Sequence, residues 1–130
     1  MKHKVSQLEG TLLDAAVARA LGSPYAVVWN GDGPASAAQL DTLGVMHIPF
    51  RPSSQWHDGG TIISREGIAL WSHNGEWRAA HPDVAEHGWY DQRYGVIDCA
   101  DDDGLGGTTP LIAAMRAFVT SKFGDEIELP

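Results

Sequence analysis

At 130 residues, 43% hydrophobic and 20% charged, the chain has the makeup of one globular domain spanning 1–130, and its longest apolar runs fall far short of a membrane span. Its single cysteine, Cys99, excludes an internal disulfide and fits a reducing compartment. The net charge of −8, with nine lysines and arginines scattered singly, excludes the phosphate-neutralising patch that direct nucleic-acid binding requires.

The opening Met1-Lys2-His3-Lys4 is basic, but Ser6, Glu9 and Asp14 interrupt the hydrophobic stretch a signal peptide needs, so the expected compartment is the cytoplasm. Ser6 followed by Glu9 has the form of a capping box. Leu12, Leu13, Ala16, Val17 and Ala20 then share one face at helical spacing, with Gly22 and Pro24 closing the segment. This pattern predicts a helix over 7–21. The short aromatic and β-branched run 25–29 predicts a first strand, ended by the turn residues Asn30-Gly31-Asp32-Gly33-Pro34. Residues 36–43 read as a short helix or an ordered loop, and Pro49, Pro52, Ser53 and Ser54 mark an irregular stretch. Gly60-Thr61-Ile62-Ile63-Ser64-Arg65 reads either as a helical turn begun by Thr61 or as a further strand.

Asn74-Gly75 between the alternating runs 68–73 and 76–79 predicts a hairpin closed by a two-residue type I′ turn. In that register Ile68, Leu70, Trp77 and Ala79 form the core face. The other face sets Trp71 opposite Arg78 and His73 opposite Glu76, pairs explicable as stabilising contacts of about 0.5–1 kcal/mol each. Residues 94–99 predict another strand, with Cys99 as a small buried residue. In the last helix Thr109 is the N-cap, Pro110 the first residue, Lys122 the cation at the negative end and Gly124 the C-terminal stop. Leu111, Ile112, Met115, Phe118, Val119 and Phe123 make a wide apolar stripe. The back of small residues, Ala113, Ala114, Ala117, Thr120 and Ser121, suits either a propensity-rich exposed helix or one packed on both sides, against a neighbouring element or a second copy of the chain. The expected fold class is α+β, a small antiparallel sheet centred on the Asn74-Gly75 hairpin and packed by the N-terminal and C-terminal helices.

Three blocks of the sequence resemble the NinX-like family of small phage and prophage proteins. The first is Leu13-Asp14 with Val17-Ala18-Arg19-Ala20 and Gly22. The second is Phe50-Arg51-Pro52-Ser53-Ser54-Gln55-Trp56-His57-Asp58-Gly59-Gly60, continued by Ile62-Ile63-Ser64-Arg65-Glu66. The third runs from Thr109-Pro110-Leu111 through Val119 to Ser121-Lys122-Phe123-Gly124-Asp125-Glu126. The pattern departs at Ala15-Ala16, where aromatic residues are expected. The resemblance implies a phage-derived accessory protein and carries over no catalytic residue.

Among candidate sites, the 52–60 segment joins turn residues to a large aromatic and adjacent hydrogen-bonding groups, so it reads as a binding loop. Trp56 would be its interface anchor, with His57 and Asp58 beside it and Arg65 and Glu66 as a polar rim. Trp71, Arg78 and Trp89 are further contact candidates. The opposite reading folds Trp56 back onto the core. A ligand-binding or metal-dependent alternative would gather His57, Asp58, His73 and His81 into one pocket. Metal-ligand spacing is not diagnostic anywhere, so neither metal nor cofactor is expected. Pairings of Cys99 with His81 or His87, or of Ser53 or Ser54 with His57 and Asp58, have nucleophilic residue types without a nucleophile elbow, and no catalytic residue is assigned. Asp101-Asp102-Asp103-Gly104 begins like a calcium loop but lacks the later carboxylates, and reads as a solvated acidic turn. The expected function is therefore non-enzymatic binding of a host or phage protein, without direct nucleic-acid or membrane contact. Self-assembly through the C-terminal helix is a third reading.

Overall fold

Buried small side chains let the last helix be packed on both sides. The computed structural model describes residues 2–28, 36–40, 47–83, 89–91, 96–98 and 104–129. In chain order these form β1 (Lys2–Lys4), a 3-10 turn (Val5–Gln7), α1 (Gly10–Leu21), β2 (Tyr25–Val28), β3 (Ser36–Leu40), β4 (His47–Pro49) and α2 (Trp56–Glu66). There follow β5 (Ala69–His73), β6 (Glu76–Ala80), β7 (Trp89–Asp91), β8 (Val96–Asp98), β9 (Leu105–Gly107), α3 (Pro110–Phe123) and β10 (Glu126–Glu128). The fold is α+β, and among the described residues every strand pairing is antiparallel: β2-β3-β4, β5-β6-β9, β1-β10 and β7-β8.

The helix α3 occupies the centre. One side packs on β5, β6 and β9, and the other meets α1 and α2. Its alanines help to make this possible: Ala113, Ala114 and Ala117 are buried, as are Met115, Phe118 and Val119, and Ala113 lies close against Gly107 of β9, where a larger residue would not fit. The back of small residues is thus covered by elements of the same chain. The helix α1 lies on β2 and β3 and shares one apolar cluster with α3, in which Val5, Leu13, Val17 and Ile127 also take part. Among the described residues no helix is long and apolar enough to cross a membrane.

The hairpin has the predicted register, Leu70 facing Ala79 and Trp71 facing Arg78, around Asn74 (φ +52°) and Gly75 (φ +79°). Ile68, Leu70, Trp77 and Ala79 face the core. The helix α3 also follows its predicted limits, with the Thr109 hydroxyl accepting from the Ile112 N–H and Gly124 (φ +81°) at its end.

Three expectations are corrected. The capping box is not made. Ser6 lies in the 3-10 turn, which drives Val5 and Leu8 into the core, and α1 starts only at Gly10 (φ +58°), without a side-chain cap. Residues 36–40 are a strand, because pairing with β2 on one side and β4 on the other satisfies their backbone while Ala37 and Ala38 are buried. The segment 56–66 is one helix, so Trp56, His57, Asp58, Gly59 and Gly60 are its first turns and not a loop. The predicted strand 94–99 is seen as β8. Trp29, Asn30 to Pro34, His87, Cys99 and Asp101 to Asp103 lie outside the described residues.

Candidate functional site

The chain between β4 and α2 turns sharply, and two carboxylates hold the turn. Asp58, in the first turn of α2, reaches back so that its Oδ2 accepts from the Arg51 N–H at 3.0 Å. Its negative charge also suits the positive end of that helix. Asp14, on α1, accepts from the Ser53 N–H through Oδ1 at 2.8 Å. Ser54 and Gln55 each donate a backbone N–H to the Arg51 carbonyl, closing the turn itself. Phe50 is buried beneath it, 4.4 Å from the Tyr25 ring between centroids.

Gly59 fixes how closely the turn returns to its own helix. A Cβ there would collide with the Pro52 carbonyl oxygen and stand 2.7 Å from Leu111 Cδ2. The product of these constraints is a closely braced platform for Trp56, which remains 56% exposed. Beside it an apolar hollow of about 300 Å³ is lined by Ser53, Ser54, Pro110, Leu111 and Ile112. Trp56 therefore does not fold back to cap the core.

Asp14 from α1, the 50–59 turn and Leu111 from α3 belong to the three separate blocks that carry the resemblance described above, and here they are in contact. The family model described as Bacteriophage P22, NinX matches residues 4–122. The chain belongs to the NinX family of phage proteins. No curated protein matches it.

In this NinX-family chain the other residues singled out from sequence fall into separate places. His57 is 75% exposed in its side chain, and its Nε2 lies 3.5 Å from Asp58 Oδ1. Arg65 is exposed at the far end of α2, with Nε 3.4 Å from Glu66 Oε2. Trp71 and Arg78 face one another across the hairpin, on the side of the sheet turned away from α3, so the sheet stands between them and the Trp56 platform. Arg78 pairs with Glu76 at 3.5 Å. The indole Nε1 of Trp71 and Nε of Arg78 are buried without a hydrogen-bond partner among the described residues.

Among the described side chains, His57 and His81 lie apart. His81 is buried at the end of β6, where its Nδ1 accepts from the Asp83 N–H and its Nε2 meets Glu66 Oε1 at 2.9 Å. Glu66 closes α2 and His57 opens it, a separation of roughly 13 Å along the helix axis at 1.5 Å per residue. His73 ends β5 and Trp89 begins β7. Among the described residues no group of three histidine, cysteine or carboxylate side chains is arranged to hold a metal ion.

Two side chains that hold these segments together were not singled out from sequence. Asp14 is one, and its signal was a lone acid inside the apolar run of the first helix. Burial pushes its carboxyl above the ordinary range; hydrogen bonds from Ser53 oppose this, Asp58 adds to it and Arg51 works against it. Arg116 is the other, donating from Nε to the Leu8 carbonyl at 2.8 Å and from Nη1 to the Gly106 carbonyl at 2.7 Å. It ties the segment before α1 to β9, and its signal was a charge in the middle of α3, where the other charged residue, Lys122, lies in the last turn.

Proposed function

We propose that this NinX-family protein is a cytoplasmic phage accessory protein without a catalytic site of its own, which acts by binding a host or phage protein at the Trp56 platform. The observation that supports this reading is a 56% exposed tryptophan on a turn held by Asp14, Asp58 and Gly59. An exposed indole is an unfavourable surface in water. Covering the rest of it would contribute on the order of 3 kcal/mol to a complex, enough for an interface anchor. The rigid turn adds to this, because the loop needs no ordering when a partner arrives. The adjoining hollow between the turn and α3 offers the partner's apolar side chain a seat. The histidine–carboxylate alternative gains nothing from the geometry, since His81 is committed to Glu66 and Asp83 and His57 points from the other end of the helix.

The experiment is capture of partners by tagged wild-type and Trp56→Ala proteins from lysates of infected and uninfected host cells, with the fold of both checked by circular dichroism. The expected result is a protein retained by the wild type and lost by the folded variant. Equal capture by both, or capture by neither, rejects the Trp56 platform as a docking site.

A further inference from the structure

A second cleft, of about 380 Å³, opens on the other side of the turn, between α1 and the β2-β3-β4 sheet. Thr11 and Asp14 stand on the α1 side, Val28, Ala37 and Phe50 form apolar walls, and Arg51 is at the rim. Asp14 is only 4% exposed, and among the described residues none of the ion pairs includes it. A carboxylate withdrawn from water is unfavourable unless a counter-charge or a full set of hydrogen bonds replaces the solvent. Ser53 supplies part of that replacement and leaves the group in deficit, as the upward displacement of its titration by burial indicates. Asp58 adds a second negative charge nearby, whereas Arg51 is an exposed residue whose guanidinium makes no ion pair with Asp14.

We propose that this cleft binds the cationic head of a small ligand, a primary ammonium or guanidinium group on a short apolar stem, with Asp14 as its counter-charge and Val28, Ala37 and Phe50 against the stem. The cleft has the volume of a small-ligand pocket, with Thr11, Asp14, Ser36 and Arg51 set against the apolar residues Val28, Ala37, Pro49 and Phe50. The net charge of −8 raises the local concentration of any cation arriving from solution. A free amine and a lysine or arginine side chain offer the same head group, and the inference is independent of the Trp56 platform.

The test titrates the whole protein with n-butylammonium and n-butylguanidinium, using n-butanol and butyrate as neutral and anionic controls, and follows the backbone amides of Thr11, Ala37 and Ser53 by NMR. At least one cation should saturate these shifts with a dissociation constant on the order of millimolar, as befits so few atoms, and at least about tenfold more tightly than butanol, one factor of ten being one 1.4 kcal/mol step. Asp14→Asn keeps an acceptor for the Ser53 N–H while removing the charge, so it should fold and lose that tenfold preference. Ala37→Ile should abolish binding by filling the cleft with Asp14 still in place. Tighter binding of Nα-acetyl-lysine amide or Nα-acetyl-arginine amide than of the butyl cations assigns the head group to a protein side chain, and the reverse order assigns it to a free amine or guanidine. Equal binding of butanol, unchanged binding by a folded Asp14→Asn protein, or no saturable shift from either cation overturns the proposal.

Discussion

The imidazole of His81 and the carboxylate of Glu66 meet at 2.9 Å and lock the end of β6 to the end of α2. Because the Asp83 N–H occupies His81 Nδ1, the proton of the neutral ring sits on Nε2 and is donated to Glu66. That hydrogen bond is the main reason the Glu66 carboxyl is held below its ordinary range, against a smaller upward push from burial.

A pH dependence follows, with a definite sign. Glu66 binds its proton more weakly in the folded chain than in the unfolded one. Its contribution to stability is therefore complete above pH 4.5, its ordinary value, and is lost as pH falls through the lower folded value. Glu66→Gln keeps an acceptor for His81 and should flatten this part of the acid limb at a cost below about 1 kcal/mol. His81→Ala strands the Asp83 N–H and opens a hole, and should cost about 2–3 kcal/mol. Urea denaturation of the three proteins across the acid range checks both; an unchanged acid slope in Glu66→Gln rejects the assignment.

Two adjacent glycines in α2 should respond in opposite directions. Gly60→Ala places a Cβ 3.6 Å from the Trp56 ring, an ordinary contact, and removes the entropic penalty of a helical glycine, so it should stabilise the protein by about 0.5–1 kcal/mol. Gly59→Ala forces a methyl against the Pro52 carbonyl and Leu111, and should destabilise by about 1–3 kcal/mol while displacing the turn below Trp56. Thermal melts give the signs, and the backbone amide shifts of Ser53 and Ser54 should move in Gly59→Ala and hold in Gly60→Ala.

That same pair shows where the sequence was legible and where it was not. Gly59-Gly60 reads locally as a chain reversal, and the approach of the Pro52 carbonyl and of Leu111, the latter remote in sequence, explains a glycine inside a helix at position 59. The ends of α3 were readable because Thr109, Pro110 and Gly124 act within one turn of themselves. The hairpin was readable because its Asn-Gly turn and its alternation agree. Ser6 and Glu9 offered equally good capping chemistry, yet Val5 and Leu8 are drawn into the core and Gly10 adopts a left-handed backbone, so tertiary packing overrode the local preference. Residues 36–40 failed for a related reason, since alanine-rich segments become strands when both neighbours offer hydrogen bonds. Trp56 stood out in the sequence as a large aromatic among turn residues and is exposed in the fold, but the Asp14 support of the adjoining turn joins positions too distant in the chain for periodicity to reveal.

The hairpin turn gives a prediction free of packing. Gly75 has φ +79° and nothing within 4 Å of an added Cβ, so Gly75→Ala changes only the backbone preference. A cost of about 1–2 kcal/mol is expected, the penalty of a left-handed non-glycine residue. Asn74 tolerates the same region better than most residues, so Asn74→Val should cost at least as much. Equal melting temperatures for wild type and Gly75→Ala contradict the type I′ turn.

Asp14 should show the reverse pH sign to Glu66. Its folded carboxyl titrates above the value of 3.8 expected for an unfolded aspartate, so the folded state holds the proton more tightly. Its contribution is complete below pH 3.8 and is lost as pH rises through the folded value, which means that charging this group works against folding even though the charged form accepts from Ser53. Asp14→Asn removes the titration and keeps an acceptor; it should leave stability level across this window and near the wild-type value at its acid end. Asp14→Ala strands the buried Ser53 N–H, and should cost about 1–3 kcal/mol with loosening of the 51–55 turn. Denaturation midpoints of the two variants separate the roles: if Asn and Ala are equally destabilised, Asp14 does not hold the turn through that hydrogen bond.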